Sequence, residues 1–434
     1  MNFNTYSFKE LLIDIVDNRG KTCPVEESGM PLIATNCIKE NTLYPVFEKV
    51  RYVSDDTYKT WFRGHPKSGD MIFVCKGSPG RVNWVPDPVS FCIAQDMVSI
   101  RADETKVYPK YLFALLRSKV TQQKILNMHV GSLIPHFKKG DFGNLYFDIP
   151  DDMDYQKKVG DAYFDFCLKI EANSQLNQTL EEMAQAIFKS WFVDFDPVKA
   201  KMNGEQPEGM DAATASLFPE KLVESELGLI PEGWEVKGLP NGTLFREGPG
   251  ILAKDFHDKG VPLIRLAGLK NGVSLLDGCN YLDPEKVDKK WKHFLLQEGD
   301  ILLSSSASLG RVAEVTKQSE NSIAYTGIIA FRPIDDVTTR KYLKYFIQSP
   351  SFQRQIEAFG VGSVLKHFGP THLKKMWILL PPVSIQDKFE QLVLALDGKI
   401  QTGLEQNQSL SNLRDTLLPK LLSGEIELDK VLDV

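Results

Sequence analysis

The chain lacks any stretch of about 18 consecutive apolar residues, the length that suggests a membrane-spanning helix, and it lacks a recognisable signal peptide. Its cysteines are scattered and form no Cys-x-x-Cys pair: Cys23, Cys37, Cys75, Cys92, Cys167 and Cys279. Such a distribution argues against a disulfide framework or a zinc site and favours reduced thiols. We therefore expect a cytoplasmic protein with no membrane partner.

The chain also lacks the compact motifs that would identify an enzyme. Gly20-Lys21-Thr22 resembles the end of a phosphate-binding loop, but Ile15 stands where that loop requires glycine. There is no GxGxxG segment, no G-x-S-x-G segment and no Asn/Asp-Pro-Pro-aromatic run, and the seven histidines do not pair at metal-ligand spacing. We therefore expect no catalytic residue, no metal and no cofactor on this chain.

The charge is unevenly distributed along the chain. The formal net charge of -6 is unusual for a nucleic-acid-binding protein, but residues 194–235 alone carry ten acidic residues against three lysines. Residues 106–140 carry seven Lys/Arg and no acid, and residues 337–376 carry seven Lys/Arg and only Glu357. These two segments are either positive patches for phosphate or amphipathic helices with solvated basic faces.

What the chain does have is an internal repeat that spans nearly its whole length. Matching motifs recur at an offset of 230 or 231 residues: Gly29-Met30-Pro31-Leu32-Ile33 with Gly260-Val261-Pro262-Leu263-Ile264, Gly69-Asp70 with Gly299-Asp300, Gly80-Arg81-Val82 with Gly310-Arg311-Val312, and Asn177-Gln178 with Asn407-Gln408. Two related halves predict a pseudo-symmetric molecule that is suited to a target with two similar parts.

Each half is predicted to form a globular α/β part followed by a long helix. The short elements expected in both halves are strands at 71–74 and 301–303, helices at 111–116 and 342–346, and strands ending at a proline at 147–150 and 378–381.

The long helices carry apolar residues at seven-residue spacing. This predicted seam consists of Val159, Phe166, Leu180 and Ile187 in the first helix and Phe389, Leu396, Leu410 and Leu417 in the second. Asn173 and Gly403 interrupt the two series at the equivalent step. A second apolar line is expected at Ile170, Met183, Trp191, Leu392, Ile400, Leu413 and Leu421. Such stripes predict an antiparallel coiled coil, and about 38 residues at 1.5 Å per residue give a rigid spacer of roughly 57 Å.

These patterns predict an α+β fold with two globular α/β domains separated by two long antiparallel coiled-coil helices, in a pseudo-two-fold repeat. The expected division is a first domain at 1–152, a first long helix at 153–193, an acidic connector at 194–232, a second domain at 233–382, a second long helix at 383–424 and a tail at 425–434. A short helix is expected near 211–217 within the connector.

Two regions in each half are candidates for contact with phosphate or bases. The first is a glycine- and serine-rich loop that places small residues beside an arginine: Lys76, Ser78 and Arg81, then Ser304, Ser305, Ser306 and Arg311. The second follows the basic helices: His136, Lys138 and Lys139, then Lys366, His367 and Lys374. The alternatives are a plain hairpin turn with a surface arginine and an ordinary helix-to-strand loop.

Longer segments of the chain resemble the specificity (S) subunit of type I restriction-modification enzymes. They are Asp17-Asn18-Arg19-Gly20-Lys21-Thr22, the stretch EMAQAIFKSWFVDFDPV at 182–198, QPEGMD at 206–211 and GLIPEGWEV at 228–236. With the repeat, the likeness extends over essentially the whole chain.

The resemblance implies two target-recognition domains that contact the two halves of a bipartite double-stranded DNA sequence. It implies two methyltransferase (M) subunits bound at the helical regions, and restriction (R) subunits that complete an ATP-driven nuclease. S-adenosylmethionine, ATP and Mg²⁺ would then belong to the partner subunits. Two other hypotheses remain open from the residues alone: a catalytic nuclease or self-contained methyltransferase, and a coiled-coil scaffold protein that does not bind DNA.

Overall fold

The computed structural model describes residues 2–18, 21–128, 135–270, 274–306, 309–359 and 368–426. The chain forms two compact units. Unit 1 comprises Met1–Gln175 and Gly403–Val434, and unit 2 comprises Leu176–Thr402. Each of the two long helices is therefore divided between the two units.

Eleven α-helices occur in the described residues, and two of them are 40 residues long. In chain order the helices are α1 (Asp55–Thr60), α2 (Pro109–Arg117), α3 (Lys119–Asn127), α4 (Met153–Phe192), α5 (Asp196–Met202), α6 (Ala212–Ser216), α7 (Pro284–Lys286), α8 (Arg340–Gln348), α9 (Pro350–Ala358), α10 (Pro370–Leu373) and α11 (Val383–Leu422). Helix α4 ends one residue before its predicted end, and α11 ends two residues before.

Unit 1 contains three small sheets. Its strands are β1 (Phe3–Ser7), β2 (Leu12–Asp17), β3 (Met30–Ile33), β4 (Arg51–Val53), β5 (Met71–Val74), β6 (Val82–Trp84), β7 (Cys92–Ile93), β8 (Met97–Ala102) and β9 (Tyr146–Pro150). They pair in the orders β2-β8-β5-β6, β4-β3-β7 and β1-β9. Among the strand pairs of unit 1 that the structure describes, only β3–β7 is parallel.

Unit 2 repeats this topology and adds one hairpin. Its strands are β10 (Leu222–Ser225), β11 (Gly228–Pro231), β12 (Glu235–Gly238), β13 (Thr243–Glu247), β14 (Val261–Ile264), β15 (Asn280–Leu282), β16 (Ile301–Ser304), β17 (Val312–Glu314), β18 (Ile323–Ala324), β19 (Ile328–Pro333) and β20 (Trp377–Leu380). The orders β13-β19-β16-β17, β15-β14-β18 and β12-β20 match those of unit 1, and β10-β11 is the addition. The sequence repeat is therefore a structural repeat.

The repeated Gly-Asp pair directly precedes an inner strand of each four-stranded sheet, β5 in unit 1 and β16 in unit 2. Asp70 is buried and accepts two hydrogen bonds from Arg101, at 2.8 and 2.9 Å. Asp300 is equally buried and accepts two from Arg332, at 2.7 and 2.6 Å. A two-bond carboxylate–guanidinium pair fixes geometry as well as charge, so this motif is part of the framework.

The eight residues of the predicted seam are all at least half-buried. Val159, Leu180 and Phe389 are buried, and the other five predicted positions are half-buried. The second apolar line is only partly right, because Met183, Leu392 and Leu413 are each about half exposed. Their exposed fractions are 48%, 47% and 47%.

Asn173 interrupts the apolar seam with a polar layer inside unit 1. Its amide donates to the side chains of Gln406 and Asn407, at 3.2 and 3.0 Å. The Asn407 amide donates in return to the Ile170 carbonyl and the Ser174 hydroxyl. At one end of the same seam the Tyr155 hydroxyl donates to the Leu421 carbonyl at 2.5 Å. Residue numbers rise on one helix as they fall on the other, so the two helices are antiparallel within this unit.

The segment predicted as an acidic connector, 194–232, is instead a folded part of unit 2. It contains α5, α6 at the expected place, and the β10–β11 hairpin. Val198, Phe218 and Ile230 are buried in the core of unit 2, and Trp191 meets Phe218 edge-on at 5.2 Å. The acidic composition concealed this core because a few apolar side chains are enough to hold a short segment against a domain.

Candidate nucleic-acid interface

The two contact regions predicted in unit 1 form one continuous surface. Lys76 and His136 pair as an isolated antiparallel bridge between the regions. The Gly77 amide donates to the Pro135 carbonyl at 2.9 Å, and the Phe137 amide donates to the Cys75 carbonyl at 2.8 Å. The glycine-rich loop and the loop after the basic helices are therefore neighbours, which the sequence did not reveal.

A glutamine lies beside the glycine-rich loop in both units, and in unit 1 it donates a hydrogen bond to that loop. Gln122 on α3 donates to the Gly80 carbonyl at 2.8 Å and to the Leu116 carbonyl at 2.6 Å. A Cβ atom on Gly80 would lie 2.8 Å from the Gln122 side chain, so only glycine fits there without a shift. In unit 2 the corresponding Gln353 lies beside Gly310 and donates to the Ile347 carbonyl at 3.0 Å. The unit 1 loop is thus anchored to a helix before any ligand arrives.

The cations of the unit 1 surface are only weakly neutralised. Arg81 meets the exposed carboxylate of Glu40 at 3.4 Å, and Lys139 meets Asp17 at 3.0 Å. Lys138 is exposed, and its backbone amide donates to Asp141. Exposed pairs of this kind contribute little to stability, so these side chains can exchange their partners for phosphate.

The corresponding loop of unit 2 requires a correction to the predicted set. Ser304 and Ser305 are buried. The Ser304 hydroxyl accepts a hydrogen bond from the Arg311 amide at 2.9 Å, so it holds the loop together. Every residue of β16 is buried, so the strand is covered on both faces, and this holds for Ser304 at its end and for Ser305 directly after it. Ser306 and the Arg311 side chain are half-buried and remain at the surface.

The second region of unit 2 is only partly described. Lys374 follows α10 and is exposed, as is Lys375 beside it. Lys366 and His367 lie outside the described residues. His372 accepts a hydrogen bond from the Gly369 amide at 3.2 Å and stacks on Phe368. Lys374 therefore extends from a turn that its neighbours fix in place.

Several cations of the basic helices pair with carboxylates on the long helices and are not free for phosphate. Lys110 on α2 pairs with Asp161 on α4 at 2.7 Å. Arg340 on α8 pairs with Glu390 on α11 at 2.9 Å, and Lys344 pairs with Glu181 on α4 at 3.4 Å. These cations attach each α/β part to the long helices, whereas Lys119 and Lys124 on α3 and Arg354 on α9 stay exposed.

Lys341 makes the most buried of these helix contacts. Its side chain is 5% exposed and lies between the carboxylates of Glu314 and Asp397. Burial alone would lower the pKa of Lys341, but the two carboxylates outweigh it and raise that pKa. The ammonium group is therefore charged, and its charge is fully used within unit 2.

One pair of framework residues was missed by the sequence reasoning. Gln156 and Gln386 are buried at equivalent positions near the start of α4 and α11. Gln156 accepts a hydrogen bond from the Tyr108 amide and donates one to the Pro150 carbonyl, both at 2.8 Å. Gln386 accepts from the Thr339 amide at 3.0 Å and donates to the Pro381 carbonyl at 2.9 Å. In both units the amide directly precedes a basic helix, and the proline lies at the end of a strand or directly after it. Their offset of 230 residues was the signal that could have identified them.

Among the helices that the structure describes, none is both long and apolar enough to span a bilayer. Within the same residues, no group of three or more His, Cys, Asp or Glu side chains is arranged to hold a metal ion.

A duplicated α/β unit with a basic loop at the same place in both copies defines a protein built to contact a two-part target. The family model described as the type I restriction modification DNA specificity domain matches the chain twice, at residues 21–182 and 231–410. The chain belongs to this family.

Individual relatives agree with that assignment. The specificity subunit of the type I restriction enzyme HindI from Haemophilus influenzae is 27% identical over 405 residues, which cover 83% of this chain and 87% of that protein. The specificity subunit of MjaIX from Methanocaldococcus jannaschii is 26% identical over 333 residues, covering 75% and 71%. The crystal structure of a type I restriction-modification S subunit from M. genitalium has the same fold, with a TM-score of 0.55 at 16% identity and coverage of 97% and 96%.

Proposed function

We propose that this chain is the DNA-specificity subunit of a type I restriction-modification complex. Each unit contacts one half of a bipartite double-stranded DNA target. The observation that carries the proposal is the recurrence of one loop, between β5 and β6 and between β16 and β17, with an arginine at the same repeat position. Two similar readers on one chain match a target of two half-sites separated by a gap.

The proposed contacts in unit 1 are Lys76, Ser78, Arg81, His136, Lys138 and Lys139. Those in unit 2 are Ser306, Arg311 and Lys374, with Lys366 and His367 as sequence-based candidates. The lysines provide salt-dependent phosphate affinity that does not depend on sequence. The arginines can donate two parallel hydrogen bonds to a guanine edge, which discriminates between bases.

The complex supplies the chemistry that this chain does not. Two methyltransferase subunits assemble on the long helices and methylate adenines with S-adenosylmethionine. Restriction subunits add ATP- and Mg²⁺-dependent cleavage, and the assembly works in the cytoplasm. Exposed apolar residues on both long helices, including Leu176, Met183, Leu392 and Leu413, support the helices as the surface on which partners assemble.

Charge reversal in the unit 1 loop tests the DNA contacts. The variant Lys138→Glu/Lys139→Glu, assembled with its methyltransferase subunits, should bind target DNA at least 10-fold more weakly at moderate salt. The dependence of log affinity on log salt should fall by roughly two, because each phosphate contact contributes about one. Fluorescence anisotropy over a salt series measures both quantities.

The matched control is Lys59→Glu/Lys67→Glu, which makes the same charge change at two exposed lysines outside both loops. The control should retain most of the affinity and nearly the full salt slope. Equal losses in both variants would show that only net charge matters. Unchanged binding in the loop variant would remove these lysines from the interface and favour a scaffold that does not bind DNA.

A further inference from the structure

A stacked arginine occupies the end of β14 in unit 2. The Arg265 guanidinium lies 4.1 Å from the centre of the Tyr325 ring and 5.6 Å from that of Phe256. Its Nη1 donates to the Asn280 side chain at 3.2 Å. Two aromatic rings and one hydrogen bond thus fix the plane of the guanidinium. Because the side chain is already ordered, less conformational entropy is lost when it binds a partner.

Arg265 keeps most of its hydrogen-bonding capacity. No carboxylate forms an ion pair with its guanidinium anywhere in the described part of the chain, whereas Arg332 and Arg340 are paired with Asp300 and Glu390. The side chain is half-buried. A guanidinium has five N–H donors, and only one is used by Asn280. An oriented cation without a counter-charge is therefore available at the surface.

The backbone connects this arginine to the candidate loop of unit 2. The Tyr325 amide donates to the Ile264 carbonyl, next to Arg265, at 3.0 Å. Two residues later, the Gly327 carbonyl accepts from the Ser305 amide at 2.9 Å. The residue before Ser306 is therefore hydrogen-bonded to Gly327, two residues after the Tyr325 ring that stacks on Arg265. The short segment 325–327 thus links the glycine- and serine-rich loop to the stacked arginine.

Unit 1 has the same backbone but not the same side chains. Its Ala94 amide donates to the Ile33 carbonyl at 2.8 Å, the exact repeat counterpart of the Tyr325 contact. The residues at the positions of Arg265 and Tyr325 are Ala34 and Ala94, both packed in or against an apolar cluster. The framework is therefore shared, and the stacked arginine belongs to unit 2 alone.

We propose that Arg265 recognises a guanine in the half-site contacted by unit 2. This inference rests on the proposed function and names one base reader within it. Guanine presents its O6 and N7 acceptors side by side in the major groove, and a flat guanidinium matches them with two parallel hydrogen bonds. Tyr325 and Phe256 hold the plane of Arg265, and Asn280 orients its edge. Unit 1 reads its own half-site without an arginine at this position.

The test uses the chain assembled with its methyltransferase subunits and a DNA library in which both half-sites are randomised. Sequencing of methylated adenines then gives the base preference at every position. With Arg265→Ala, the preference for one G·C pair in one half-site should fall by about 10-fold or more, while the other half-site keeps its preferences. Arg265→Lys should lose the same preference, because an ammonium group has no planar pair of donors.

Lys259→Ala is the matched control, since it removes an exposed cation that precedes β14 in sequence. It should leave the base preference at every position unchanged. Tyr325→Leu is a second route to the same result: it keeps the arginine but removes the stack, so the guanine preference should weaken without vanishing.

The outcomes distinguish a failure of this inference from a failure of the proposed function. If the native chain directs methylation to a bipartite site and Arg265→Ala keeps every base preference, Arg265 is not a base reader. If the native assembly methylates no bipartite site, the proposed function fails and this inference fails with it. An even loss at all positions for Arg265→Ala would make the residue a phosphate contact instead and would overturn the assignment to guanine.

Discussion

Units 1 and 2 share their framework down to single hydrogen bonds but differ in how that framework meets the long helices. Both contain a buried Asp–Arg pair and a buried glutamine near the start of a long helix. In unit 1 the α2–α4 contact is close at Gly160, where a Cβ atom would lie 2.6 Å from the Tyr111 amide nitrogen. In unit 2 the equivalent residue is Glu390, which pairs with Arg340. The same contact is thus made by close backbone packing in one copy and by a partly exposed ion pair in the other.

The largest expected difference between the units concerns their helix-attaching lysines. Lys341→Met should destabilise unit 2 by about 3–5 kcal/mol, because it leaves two carboxylates without their buried partner. Lys110→Met should cost unit 1 less than about 1 kcal/mol, since both side chains of its ion pair are substantially exposed. Hydrogen exchange measured on peptides from each unit gives the two effects separately. Equal protection losses would contradict the contrast between buried charge and close packing.

The buried glutamines should instead behave alike. Gln156→Leu and Gln386→Leu each remove the partners of at least two backbone groups, so each should cost about 3 kcal/mol in its own unit. The same exchange experiment measures this effect, with the exposed Gln123→Leu on α3 as the control. A large loss in one unit and none in the other would show that the shared hydrogen bonds do not have a shared role.

The smallest expected difference depends on pH. Burial lowers the pKa of His65, which stacks on Tyr58 in unit 1, whereas the repeat position in unit 2 is Leu295. A histidine whose folded pKa is depressed is neutral in the native state, so the stability of the native state falls as pH drops below the ordinary histidine pKa of about 6.5. Unit 1 should therefore lose protection as pH falls below about 6.5, and His65→Leu should abolish that loss. Persistence of the loss in the variant would assign it to another group.

Periodic and repeated features were predictable from the sequence because each depends on local spacing. The seven-residue spacing identified Val159, Leu180 and Phe389 as buried positions on the long helices. The repeated Gly-Asp pairs marked where strands β5 and β16 begin. Features that depend on contacts distant in sequence were not predictable. No local pattern joins Lys76 to His136, or Lys341 to Asp397, because those contacts arise only when the sheets and helices pack.

The candidate site shows the same division. Glycine and arginine at matching repeat positions indicated two equivalent loops, in which Arg81 and Arg311 are half-buried, but composition could not distinguish exposed from buried serines. Ser304 and Ser305 lie inside because they continue a buried strand. The basic helices misled in part for a related reason: a count of charges does not reveal that α4 and α11 supply carboxylates to Lys110, Arg340, Lys341 and Lys344.

The most direct test of the central claim is an exchange of one globular part. Residues 2–152 would be replaced by the corresponding part of the Haemophilus influenzae relative, and the chimera would be assembled with methyltransferase subunits. Methylated adenines would then be mapped across a genome. If each unit contacts its own half-site, the methylated sequence changes in one half and keeps the other half unchanged. A change in both halves, or in neither, would contradict this account.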